Sequence, residues 1–354
     1  MNLLQDTLDR IREPDARIES AARERMANQA KPPGSLGRLE DVAARLAAIH
    51  RSIDVHLKNK MVVTCAGDHG VVQEGVSLFP QEVTAQMVYN FVQEGASINV
   101  LARHAGARVR VADIGVNFDF EPELDIIHKK VRKSTWNLAR GPAMNREEAV
   151  AAIEAGIEIV NDLAASQELD LLGTGDMGIG NTTPSTAIIA AFSGVPVKNL
   201  TGTGTGLDQQ GLAHKAKILE QALDLNQPRA ADPLDVLSKV GGFEIGALAG
   251  LVLGCAARSI PVVSDGLIST AGALIACKLS PLAGKYLFAG HRSREIGHKI
   301  MLEQLNLYPM LDLDMRLGEG TGAALAMEIM DAATRALADI KTFDEVGIQN
   351  ASRK

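Results

Sequence analysis

The chain has 354 residues, 46% hydrophobic and 22% charged, which is room for one large globular domain or about two ordinary ones. A formal net charge of -7, with no block of clustered Lys or Arg, argues against a nucleic-acid footprint. Aromatics are only 3% and glycines number 33, so the core is aliphatic and the loops are glycine-rich.

The first 55 residues read as helical. Leu36, Leu39, Val42, Ala43, Leu46 and Ile49 recur at spacings of three and four behind the breaker Pro32-Pro33-Gly34. A rhythm of short β-branched runs, small polar clusters and helical stretches follows. Six runs are expected as strands: 61–65, 109–112, 169–172, 199–201, 260–263 and 285–288. Helices between them imply a Rossmann-like six-stranded parallel sheet with right-handed crossovers and helices on both faces. Each run leads into a cluster: CAGDHG, ADIGVN, LGTGDMGIGNTTP, TGTGTG, SDG and FAGHRS. In such a sheet the strand C-termini share one edge, where ligands bind. Residues 56–320 are expected as the α/β domain, with 1–55 and 321–354 forming a small helical domain together.

The longest apolar stretch, residues 245–257, has 13 residues, too few to span a bilayer. The charged N-terminus is no signal peptide, and Cys65, Cys255 and Cys277 form no C-x-x-C pair. A cytoplasmic protein with reduced thiols and no membrane contact is expected. Gly246, Gly250 and Gly254 share one face of that apolar stretch and permit close helix packing, within the fold or across a dimer.

Gly173 to Gly178 match G-x-G-x-x-G after a predicted strand. A dinucleotide site also needs an acid about 20 residues onward, and none occurs between Asp176 and Asp208. This disfavours a nicotinamide-dependent oxidoreductase. The glycines before Asn181-Thr182-Thr183-Pro184, expected to cap the next helix, still let backbone N–H groups approach an anion. Gly202, Gly204 and Gly206 repeat the chemistry, with Lys215 on the helical stretch beyond. Two Gly/Thr nests and one lysine suit a single phosphate, and tight turns with no ligand are the alternative. No Walker A pattern, G-x-S-x-G elbow or metal-ligand histidine pairing occurs, and His69 reads as a hydrogen-bonding loop histidine.

Glu319 lies between Gly318 and Gly320, just before an Ala-rich helical pattern. The glycines free the backbone to bring the carboxylate against a ligand, and the following helix N-terminus favours its charge. It is either a general base or cation stabiliser, or a helix-start carboxylate without a ligand.

KPPGSLGRLE (Lys31–Glu40), AGDHGVVQEGVS (Ala66–Ser77), GDMGIGNTTP (Gly175–Pro184), DVLSKVGGFEIGALAG (Asp235–Gly250), SDG (Ser264–Gly266) and MRLGEGTGAALAM (Met315–Met327) resemble the nicotinate-nucleotide–dimethylbenzimidazole phosphoribosyltransferase family. The similarity runs in order over nearly the whole chain. It implies a homodimer without metal or cofactor that moves ribose 5-phosphate from nicotinate mononucleotide to a benzimidazole nitrogen, for the lower ligand of cobalamin. Glu319 matches the family's catalytic base. Gly178, Asn181, Thr182, Gly204, Lys215, Asp265, Ser293, Gly318 and Gly320 match positions expected at the nucleotide and its phosphate. Phe79, Met87, Asp176, Met177, Ile179 and Leu317 are expected at the base pocket. Phe79 stands where a small polar residue is frequent, Met87 where Gln is, and Asp176 where Glu is. The first two make the pocket more apolar and imply a preferred base other than dimethylbenzimidazole. A non-catalytic partner subunit would keep the fold and lose the base, but Glu319 and Lys215 are both present.

Overall fold

Valine, isoleucine and leucine runs flanked by glycine build the centre of the molecule, because a strand buried on both faces needs no polar alternation. The computed structural model describes residues 2–166, 169–202, 204 and 206–349; Thr203 and Thr205 of the second glycine cluster and residues 350–354 lie outside these. The chain begins with α1 (Leu3–Leu8), α2 (Ala16–Asn28), α3 (Arg38–His50), β1 (Lys60–Gly67), α4 (Val83–Val92) and α5 (Ser97–His104). It continues through β2 (Ala107–Gly115), β3 (Ile127–His128), α6 (Arg146–Ser166), β4 (Leu171–Met177), α7 (Thr182–Ser193), α8 (Gln209–Asn226) and α9 (Pro233–Val240). Last come α10 (Phe243–Ala257), β5 (Val262–Ser264), α11 (Leu267–Leu279), β6 (Leu287–Ala289), α12 (Ile296–Gln304), α13 (Thr321–Asp339) and α14 (Phe343–Val346).

The six strands are all parallel, in the order β3-β2-β1-β4-β5-β6. The order reverses between β1 and β4, the position at which open α/β sheets bind ligands beyond their strand C-termini. Helix α10 packs on β1, β2 and β4, and α13 packs on β1, β4 and β5 as well as on α2, α3 and α5. No helix among the described residues is long and apolar enough to cross a membrane.

Six strands form among the described residues, but not the expected six. Residues 199–201 are not a strand: Val197–Asn199 is a single 3-10 turn after Pro196, and the Thr201 hydroxyl donates back to the Val197 carbonyl. Local hydrogen bonds, which compete with sheet ladders where a hydroxyl can serve its own backbone, win there. The sixth strand is β3, two residues at the sheet edge, too short to leave an alternation pattern. The G-x-G-x-x-G segment is not a turn either, since Gly173 to Met177 belong to β4.

Glycine makes the closest helix packing possible. A Cβ at Gly250 would lie 1.9 Å from the Ile153 carbonyl of α6, and one at Gly156 would lie 2.0 Å from the Ala247 carbonyl of α10. Gly246 and Gly254 face Ala152 and Val160 of the same helix, so the glycine stripe serves packing within the chain.

Candidate active site

Beyond the C-termini of β1, β4, β5 and β6 lies a cavity of about 450 Å³. Its wall includes Phe79, Val83 and Met87 around α4, residues 176–182 after β4, Leu267 and Ile268 after β5, His291, Ser293 and Glu295 after β6, and residues 316–319. A larger hollow of about 760 Å³ runs along the start of β2 between α5 and α6. Two of its arginines are already paired, Arg103 with Glu94 and Arg110 with Asp125, and it lies away from the strand C-termini.

One end of the smaller cavity is acidic. Gly318, Glu319 and Gly320 have φ of 91°, 64° and 99°, so three successive residues are left-handed. Glutamate there costs on the order of 1 kcal/mol or more, and such strain persists where the surroundings over-determine it. Four contacts do so. The Glu319 N–H donates to the Asp176 carbonyl (3.2 Å) and the Thr64 hydroxyl donates to the Glu319 carbonyl (2.9 Å). The Ile98 N–H, at the start of α5, donates to Glu319 Oε2 (3.1 Å), and the Gly320 N–H donates to Asp265 Oδ2 (3.0 Å). Gly175 makes room for this, because a Cβ on it would lie 2.2 Å from the Glu319 carbonyl oxygen.

The carboxylate therefore rests on the N-terminus of α5, not on that of the helix that follows it. The amides opening α13 go to Asp265, whose Oδ1 accepts from Gly322 (2.7 Å) and Ala323 (3.2 Å). A left-handed backbone at Glu319 turns the side chain away from its own helix. Burial pushes the Glu319 carboxyl above the usual range; the Ile98 amide opposes this and the Asp265 charge adds to it. Asp176 is raised well above its ordinary value, first by burial and then by the Asp265 charge, against one hydrogen bond from Asn181 Nδ2 (3.0 Å). Asn181 thus holds Asp176 and makes no side-chain cap on α7.

The other end is basic. Lys215, buried on α8, donates to Thr182 Oγ1 at 2.6 Å. Burial pulls its ammonium down to about 8, with the Glu295 charge opposing. A Cβ at Gly204 would stand 3.3 Å from Lys215 Nζ, and Gly204 is left-handed at φ 52°. Between the two ends the wall is apolar, with Phe79, Val83, Met87, Ile179 and Leu317. A buried base at one end, a buried cation behind the wall at the other and an apolar slot between them suit an aromatic substrate joined to an anion.

Comparison with known proteins gives the same direction. A family model described as phosphoribosyltransferase matches residues 11–348. The nicotinate-nucleotide–dimethylbenzimidazole phosphoribosyltransferase of Geobacter sulfurreducens is 56% identical over 98% of this chain and 99% of its own. The chain belongs to the nicotinate-nucleotide–dimethylbenzimidazole phosphoribosyltransferase family. It is thereby an enzyme of the pentosyltransferase class. The relative of that name from Citrifermentans bemidjiense is 54% identical over 99% of this chain and 100% of its own. The crystal structure of CobT from Thermus thermophilus superposes with a TM-score of 0.91 at 46% identity, covering 95% of this chain and all (100%) of that one.

Of the residues singled out in the sequence of this family member, Phe79, Met87, Asp176, Met177, Gly178, Ile179, Asn181, Thr182, Gly204, Ser293, Leu317, Gly318 and Glu319 line the cavity. Lys215, Asp265 and Gly320 stand behind the wall, Lys215 reaching it through Thr182 and Asp265 through the turn amides. His291, Glu295 and Arg316 also line it and were not singled out. His291 lies inside the FAGHRS cluster and Arg316 inside MRLGEGTGAALAM, so a signal existed for both; Glu295 had none, since only folding brings it to the wall. His69 faces Glu244 Oε1 at 2.9 Å, both fully buried. Burial disfavours the His69 charge, but Glu244 and Asp68 outweigh it and raise its pKa. Among the described residues no cluster of three or more His, Cys, Asp or Glu could hold a metal ion.

Proposed function

We propose that the enzyme moves the ribose 5-phosphate of nicotinate mononucleotide to a ring nitrogen of a benzimidazole-type base, with inversion at C1', in assembly of the cobalamin lower ligand. With 5,6-dimethylbenzimidazole the products are α-ribazole 5'-phosphate and nicotinate. The observation that carries this is the pairing, at one cavity, of the strained buried Glu319 with the Lys215–Thr182 anion cradle.

Each group has a task. The bond from C1' to the pyridinium nitrogen breaks and its electron pair stays on nicotinate, so departure needs no proton. Positive charge builds at C1' as in other glycosyl transfers. The incoming base attacks through one ring nitrogen and loses the N–H proton of the other to the Glu319 carboxylate. General-base catalysis of this kind contributes roughly 10²–10⁴-fold, and the remainder comes from holding two substrates together. Lys215, Thr182 and the amides of Gly178 and Gly204 hold the phosphate, with Ser293 beside them. Phe79, Met87, Met177, Ile179 and Leu317 enclose the aromatic base.

Because Phe79 and Met87 change the shape and polarity of the slot, the preferred base is one other than dimethylbenzimidazole: another benzimidazole, adenine or a phenolic. Leu78, Phe79 and Leu317 are exposed by 62%, 50% and 57%. This supports a homodimer in which a second copy covers the cavity mouth. The buried, unbridged Cys65 and Cys255 are consistent with a reducing cytoplasm. Incubation of the purified protein with nicotinate mononucleotide and an equimolar panel of bases tests the reading, with products separated by chromatography. Release of nicotinate with a new riboside phosphate is expected. No product with any base would overturn the assignment, and decisive preference for dimethylbenzimidazole would overturn the altered selectivity.

A further inference from the structure

Glu295 is a carboxylate in a place prepared for an anion. It is the residue immediately before α12, where a side chain ordinarily folds onto its own helix N-terminus, yet it makes no such cap. It reaches across to the glycine loop instead. The Gly204 N–H donates to Glu295 Oε1 at 3.1 Å, and Oε2 lies so close to Gly202 that a Cβ there would stand 1.9 Å away. Glu295 is 7% exposed, and its charge is felt by Lys215.

The stem of that residue is rigid. The Glu295 N–H donates to Ser293 Oγ at 3.3 Å, and the Ser293 N–H donates to His298 Nδ1 at 3.0 Å. Burial drives His298 down to about 3, so the ring is neutral; with Nδ1 accepting, Nε2 carries the proton and faces Thr270 Oγ1 at 3.0 Å. From that stem the Glu295 side chain reaches the Gly204 amide. A second hollow of about 360 Å³ lies beside the first, walled by Thr201, Gly202, Arg294 and Arg316, and Glu295 lines both.

We propose that Glu295 is a resident stand-in for the substrate phosphate, seated on the Gly204 amide until the phosphate displaces it toward Arg294 and Arg316. This rests on the reading of the cavity as a phosphoribosyl site. The carboxylate satisfies the Gly204 amide and partners the lysine field, which holds Gly204 in place. A phosphate dianion takes over both interactions, and the released charge moves toward Arg316 and toward Arg294, which faces Asp314 at 3.9 Å. A ligand without a phosphate cannot make the exchange, because nothing replaces the anion on the loop. The device thereby admits a nucleotide and rejects its nucleoside.

Calorimetric binding of inorganic phosphate and of nicotinate mononucleotide to wild type, Glu295→Gln and Glu295→Asp tests this without turnover. Glutamine keeps the acceptor for Gly204 and removes the competing charge, so both ligands are expected to bind at least about tenfold more tightly, with aspartate in between. Unchanged or weaker phosphate binding by Glu295→Gln would overturn the proposal, as would a cavity that takes up no phosphate in any variant. Tighter phosphate binding with no uptake of the mononucleotide would leave the stand-in role intact and overturn the substrate assignment.

Discussion

The two ends of the cavity bury charge in opposite ways. At the acidic end, Glu319 and Asp265 accept hydrogen bonds from backbone amides of α5 and α13, fixed dipoles that cannot relax away. At the basic end, Lys215 has, among the described residues, one hydroxyl partner and the charge of Glu295. Burial shifts both ends toward their neutral forms: Glu319 is raised although the Ile98 amide opposes it, and Lys215 is brought down to about 8. A proton acceptor has to sit in one orientation before the substrate arrives, and rigid amides provide that. A phosphate clamp gains from being under-solvated, because the incoming dianion then supplies what water no longer does.

The largest break in this comparison is Glu319→Gln, which keeps the shape and the Ile98 contact and removes the base. We expect kcat to fall roughly 10²–10⁴-fold with little change in nucleotide KM, measured by steady-state nicotinate release. Turnover equal to wild type would remove Glu319 from the chemistry. Lys215→Met should act at the other end, on kcat/KM for the mononucleotide, by about 100-fold, the size of one lost charge-assisted hydrogen bond. An equal loss with a substrate lacking the phosphate would contradict that role.

The pH profile sharpens the contrast. As pH falls through the raised value of Glu319 the base is protonated, so the acid limb of kcat/KM should stand above the ordinary glutamate range. As pH rises through about 8, Lys215 loses its charge and the mononucleotide KM should climb. Stability runs the other way at the lysine. Its pKa is lower folded than unfolded, so the unfolded chain holds more protons between about 8 and the ordinary lysine value, and stability from this group rises with pH across that window. A KM flat from about pH 7 to 10 would show that Lys215 is not the phosphate's partner. The smallest effect belongs to Asp176→Asn. Burial, with the Asp265 charge, raises its carboxyl well above the ordinary value, which lessens the charge that a neutral amide would remove, and kcat/KM should stay within about threefold. A hundredfold loss in the same assay would mean that its proton takes part.

Much of the cavity was legible before folding. Clusters after the strand runs pointed to one sheet edge, and the glycine-flanked Glu319 stood out because carboxylates rarely sit in such turns. What failed did so for local reasons. The run at residues 199–201 is only weakly strand-like in composition, and Pro196 and the Thr201 hydroxyl satisfy its backbone within one turn. Glycines 173 and 175 resemble a turn; in β4 they are absences of side chain, cleared for Met327 and for the Glu319 carbonyl. Glycine in sequence does not distinguish a bend from a close approach.

The sequence by itself determined the alternation of strand and helix, the edge that carries the site and the residue types able to do the chemistry, since these follow from periodicity and short-range spacing. Only the tertiary structure decided which helix end holds the Glu319 carboxylate, that Asp265 occupies the other, and that Glu295 sits on the Gly204 amide 91 residues away. Burial and hydrogen-bond partners between distant segments depend on how the crossovers close the sheet. A residue's charge state is set there, not along the chain.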